Sequence, residues 1–64
     1  METKTKIRVK LVGHDGNAFA IIGKVSQALR RGGHPELVDE FQKEAMSGDY
    51  NHLLQTCMGY VEVD

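Results

Sequence analysis

The sequence predicts a small α+β domain of βαααβ order, its helices packed on one face of a short sheet. Near the N-terminus apolar residues alternate with charged ones, the period of a half-buried strand. Further on they recur every three or four residues, the period of amphipathic helices, and a short alternating stretch returns at the C-terminus. Glycines and capping residues fall between these stretches, where elements must start and stop.

Ile7, Val9 and Leu11 alternate with Lys6, Arg8 and Lys10, which predicts a strand over residues 6–12. Residues 1–5 are polar and are expected to fray. Gly13-His14-Asp15-Gly16-Asn17 is a run of turn formers, and Asn17 or Asp15 is placed to cap a helix opening at Ala18. That helix should run to Arg31 and bury Phe19, Ile22, Val25, Ala28 and Leu29, with Ile21 widening the stripe. Arg30 and Arg31 suit the negative end of its dipole, and Gly32-Gly33 stops it. Gly23 costs about 1 kcal/mol against Ala in a helix interior, so its presence predicts close approach of another backbone.

His34-Pro35 opens a second helix, with Pro where a missing N–H costs nothing. Leu37, Val38, Phe41 and Ala45 form its buried stripe; Asp39, Glu40, Lys43 and Glu44 form its wet face. Ser47-Gly48-Asp49 breaks it, and Asp49 caps a third helix over residues 50–58 with Leu53, Leu54, Cys57 and Met58 inward. Gly59 should end that helix and release residues 60–63 as a terminal strand.

Sixty-four residues form a single domain, residues 1–64. With 8 Lys+Arg against 9 Asp+Glu, 41% hydrophobic and 27% charged residues, the composition is that of a folded domain and excludes binding to nucleic acid or membrane by net charge alone. No apolar run approaches the ~18 residues of a membrane span, and no basic-then-apolar signal segment opens the chain. One cysteine, Cys57, cannot form an intrachain disulfide, which points to a reducing, cytoplasmic setting.

A core of this size supplies no more than ~3–5 kcal/mol without a disulfide, metal or partner. A lone strand pair is also marginal and leaves both its edges open. Together these predict a homo-oligomer, a dimer, in which two chains pair edge to edge or the terminal strand reaches across. Gly23, Tyr60, Val61 and Val63 are the candidate interface.

Charge is unevenly spread. Residues 1–33 carry Lys4, Lys6, Arg8, Lys10, Lys24, Arg30 and Arg31 with only Glu2 and Asp15 as acids, and the remainder carries Lys43 against Glu36, Asp39, Glu40, Glu44, Asp49, Glu62 and Asp64. Lys6, Arg8 and Lys10 therefore make a stripe suited to phosphate or to an acidic protein surface. The reading favoured for this stripe is a solvated strand face whose charges pair with Glu62 and Asp64 across the sheet. It lacks the interleaved aromatics of a base-stacking surface.

Reactive constellations are weak. Gly23-Lys24 imitates the end of a Walker A loop, but Val25 stands where Ser/Thr is needed and Ala18 where the first Gly belongs. His14, His34 and His52 have no ligand spacing, so no metal or other cofactor is expected. His52 and Cys57 are five apart and do not share a helix face, and Cys57 lies on the apolar side.

The stretches Gly13-His14-Asp15-Gly16-Asn17-Ala18-Phe19-Ala20-Ile21 and Ser47-Gly48-Asp49-Tyr50-Asn51-His52-Leu53-Leu54 resemble a group of short proteins of bacteria and their phages. The resemblance spans most of the chain and carries no activity. In a phage setting it implies a small protein that binds and inhibits a host protein, including a defence protein. The expectation is a non-catalytic protein-interaction module with Lys6, Arg8, Lys10, His14, Asp15 and Asn17 as candidate contacts. One alternative is nucleic-acid or nucleotide binding through the basic strand and the 13–17 loop. Another is a small enzyme using Cys57 with His52, or His14.

Overall fold

The computed structural model describes residues 3–11 and 17–63. Strand β1 is Arg8–Val9 and pairs in parallel with β2, Glu62–Val63, in the register Arg8↔Glu62 and Val9↔Val63. Parallel strands cannot be joined by a hairpin. The crossover is made by helices α1 (Ala18–Arg31), α2 (Val38–Ala45) and α3 (Tyr50–Tyr60). The α+β class and the βαααβ order expected from the periodicities are those of the structure. Val9 and Leu11 turn inward while Lys6, Arg8 and Lys10 stay exposed.

The caps explain where the helices begin. The Asn17 side-chain oxygen accepts the Ala20 N–H at 3.1 Å, and that of Asp49 accepts the His52 N–H at 2.9 Å. His34 supplies no such bond, and the chain enters α2 through a 3₁₀ turn, Pro35–Leu37. Gly32 and Gly33 end α1 as expected, with Gly33 at φ 85° and the His34 N–H closing onto the Leu29 carbonyl at 2.8 Å. Gly59 does not end α3. No positive φ occurs there, and the Val61 N–H still reaches the Cys57 carbonyl at 2.9 Å, so the terminal strand shrinks to two residues.

Val25, Leu29, Phe41, Cys57 and Val61 are fully buried and Ile21 nearly so, one cluster joining all three helices to the sheet. Phe41 meets Tyr60 edge to face, ring centroids 5.3 Å apart. The Gln42 amide donates to the buried Ser26 hydroxyl at 3.0 Å, tying α2 to α1.

Further expectations are corrected. Residues 1–5 were expected to fray; residues 1 and 2 lie outside the described residues, but the Lys4 N–H donates to the Gly59 carbonyl at 3.0 Å and Thr5 is buried against Tyr60. The last carbonyls of a helix have no partner within it, and at α3 this segment supplies them. Gly23 was expected to admit a neighbouring backbone, yet a Cβ there would meet nothing within 4 Å. Close packing falls instead at Gly32, where a Cβ would run into the Ile7 side chain, and at Gly48, where it would run into His52. Finally Phe19, expected in the buried stripe, is 81% exposed. At 100° per residue it sits about 120° round from Val25, off the face that α2 and α3 cover.

Candidate functional site

Two surfaces and one polar cluster stand out. The first surface is a groove of about 440 Å³ between β1 and α1. Ile7, Val9 and Ala28 form its apolar lining, and Arg8, Lys10, Lys24 and Arg31 surround it with no carboxylate among the described lining residues. Helical spacing sets Lys24, Gln27, Ala28 and Arg31 on one side of α1, opposite the strand. Arg8 reaches Glu62 at 3.9 Å, but both side chains are largely exposed, so water screens the pair.

The second surface is a cleft of about 330 Å³ where the start of α1 meets the α2–α3 junction. Its floor includes Ile22, Ala45 and Leu53; Phe19, Met46 and Tyr50 stand at its rim. Met46 is 59% exposed, so with Phe19 the cleft carries two large apolar side chains that face water. Asp49 is the carboxylate of the lining, and it is occupied as the α3 cap.

The polar cluster is Glu44, Ser47 and His52. His52 Nε2 lies 2.8 Å from Glu44 Oε2, 3.0 Å from the Glu44 carbonyl oxygen and 3.1 Å from Ser47 Oγ. A Ser-His-acid relay needs the hydroxyl on one ring nitrogen and the acid on the other. Here all three oxygens converge on one nitrogen, which donates to Glu44. Ser47 Oγ donates to the Glu44 carbonyl at 2.7 Å, so both side chains finish the C-terminus of α2.

Cys57 is fully buried, and burial pushes its thiol up to about 11. A thiol that remains protonated and covered is not the activated thiolate that nucleophilic chemistry requires. The alternative that pairs Cys57 with His52 finds no support in this geometry, since the His52 ring is engaged with Glu44 and Ser47. Tyr60 and Glu40 are joined by a 2.7 Å bond from the phenol to the carboxylate. That bond lowers the Glu40 carboxyl below its ordinary range, and burial with the same carboxylate raises the phenol to about 12.

Of the residues singled out from the sequence, Lys6, Arg8 and Lys10 are exposed on the first strand segment, and Arg8 and Lys10 line the basic groove. Asn17 is a helix cap rather than a groove residue. His14 and Asp15, with the rest of the 13–16 turn, lie outside the described residues. Among the interface candidates, Tyr60 and Val61 are core residues of the single chain, while Gly23 and Val63 are exposed. Sequence reasoning missed Phe19, Met46 and Tyr50 as a surface group. Phe19 falls at helical spacing with core residues, and only the way α2 and α3 pack leaves it outside.

Among the described residues, no group of three His, Cys, Asp or Glu side chains is placed to hold a metal ion, and no helix is long and apolar enough to cross a membrane. No family model, curated protein or solved structure matches the chain.

Proposed function

We propose that this chain is a non-catalytic protein-interaction module that docks a partner protein through the cleft under Phe19. The observation that carries this reading is the 81% exposure of Phe19 beside an apolar cleft. Burying a side chain of that size gains about 1.5–3 kcal/mol. Aromatic residues and Met are the types that interface centres favour. Gly23 lies one turn on from Phe19 with open space where a Cβ would be, so a partner helix or loop laid across Phe19 meets no obstacle in the next turn.

In the setting that the resemblance to short phage proteins implies, the partner is a host protein that the module occludes. The expected homodimer belongs to the same reading. Phe19 and Gly23 offer a second copy one outer face of α1, whereas Tyr60 and Val61 lie inside their own chain. The test is a photo-crosslinking residue at position 19, with position 36 as an exposed control. A discrete adduct with another protein or with a second copy, lost when Met46→Asp is added, is the expected result. Crosslinking at 19 no stronger than at 36 would overturn the reading.

A further inference from the structure

We propose that the groove between β1 and α1 takes an extended acidic segment of a partner protein, added as a third strand on the edge of β1 that faces away from β2. The backbone register sets up the site. The Glu62 N–H donates to the Ile7 carbonyl at 2.8 Å, so β2 occupies the side of β1 to which Ile7 points its carbonyl. Backbone groups alternate sides along a strand, which turns the N–H and C=O of Arg8 to the opposite edge. No β2 residue lines the groove, so that opposite edge opens into it. An incoming strand finds a backbone donor and acceptor at Arg8, apolar contact with Ile7 and Ala28, and the cations Arg8, Lys10 and Arg31 around its side chains. Adding it converts a marginal two-stranded sheet into a three-stranded one.

Charge and shape select the occupant. Among the described residues that line the groove, Arg8, Lys10 and Arg31 supply cations and none is acidic, which calls for carboxylates on the incoming strand. No aromatic residue among the described ones lines it to stack a base, and an open strand edge complements a peptide backbone. Symmetric pairing of β1 with β1 of a second copy would set Arg8 and Lys10 beside their own kind, and like charges directly opposite destabilise a sheet. This groove and the Phe19 cleft share no lining residue, so the proposal stands whether or not a partner docks at Phe19.

The test is fluorescence anisotropy of the full chain with a labelled peptide alternating Glu and Val. Arg8→Gln removes the charge and keeps the N–H; Arg8→Pro removes both while leaving the β2-facing groups of Ile7 and Val9 untouched. Arg8→Gln should weaken binding several-fold, and Arg8→Pro about tenfold beyond it, the worth of one backbone bond. Lys10→Gln with Arg31→Gln should weaken binding and flatten its salt dependence, and Phe19→Ser should leave it unchanged. Should Arg8→Pro fail to fold by circular dichroism, N-methylation of alternate peptide residues removes the companion ladder bond, from a peptide N–H to the Arg8 carbonyl, with a comparable expected loss. Equal affinity of Arg8→Pro and Arg8→Gln, or indifference to N-methylation, would overturn strand addition. So would tighter binding of a single-stranded oligonucleotide than of the peptide. A doubling of mass in light scattering that Arg8→Pro abolishes would assign the edge to a second copy and likewise overturn the proposal.

Discussion

Thr5 donates twice to the carbonyl of Tyr60, from its N–H at 3.1 Å and from its hydroxyl at 2.7 Å. The two residues are fifty-five positions apart, and both are buried, at 4% and 7% exposure. Through this contact the N-terminal segment caps the last turn of α3 and holds the ends of the chain together. Lys4 adds to it, its ammonium 3.4 Å from Glu40 and 5.4 Å from the Tyr60 ring centroid.

Thr5→Val keeps the shape and removes the hydroxyl, which also accepts the Ile7 N–H at 3.2 Å. Losing these bonds should cost about 1–2 kcal/mol. In a domain of this size that lowers Tm by about 4–8 °C per kcal/mol. Lys6→Gln, at an exposed neighbour, should leave Tm unchanged in the same melts. Equal Tm values for Thr5→Val and the parent chain would show that the clasp contributes nothing.

Alkaline stability should be limited by two protonated groups. Cys57 is raised to about 11 and Tyr60 to about 12, so the fold favours their neutral forms. The unfolded chain binds fewer protons between the ordinary and the raised values, so the stabilisation is complete below about pH 9 and is lost as pH rises toward 12. Cys57→Ala should flatten the decline of Tm between pH 9 and 11, and Tyr60→Phe should flatten it between 10 and 12. The Glu40 carboxyl is lowered chiefly by the Tyr60 phenol, so its contribution holds above the unfolded value and fades as acid protonates the folded carboxylate. Tyr60→Phe should therefore also reduce sensitivity to acid. Parallel Tm–pH curves for parent and variants would contradict both assignments.

The two glycines of α1 and its end should respond oppositely to alanine. Gly23→Ala adds a methyl into open space on an exposed helix face and should stabilise the chain by about 1 kcal/mol. Gly32→Ala sets a methyl against the far end of the Ile7 side chain, which must shift, and should destabilise the chain by no more than about 1 kcal/mol. Urea titrations of both variants decide the point, and a destabilised Gly23→Ala would mean that another chain lies on that face.

Cys57 should be chemically silent in the folded chain. Full burial and a raised thiol pKa both suppress the thiolate. Reaction with a disulfide reagent at pH 8 should be slow and accelerate with urea in step with unfolding. Rapid labelling without denaturant would contradict the burial.

Local chemistry determined much of this protein from the sequence alone. The alternation of Ile7, Val9 and Leu11, the caps at Asn17 and Asp49, and the stop at Gly32-Gly33 all depend on neighbours within a few positions. Such features are legible because period and capping are properties of short segments. The basic character of Arg8 and Lys10 was legible for the same reason, though not the groove they share with Arg31.

Tertiary structure decided what no short segment encodes. Phe19 keeps helical spacing with Val25, but whether it is covered depends on where α2 and α3 cross α1. Gly32 rather than Gly23 is a tight contact because Ile7, far away in sequence, packs there. Tyr60 and Val61 looked available to a second chain until the crossover of three helices brought β2 alongside β1 and buried them. The clasp of Thr5 on Tyr60 has the same origin. A helix end leaves its carbonyls without partners, and only the return of the chain to its own beginning determines which donors satisfy them.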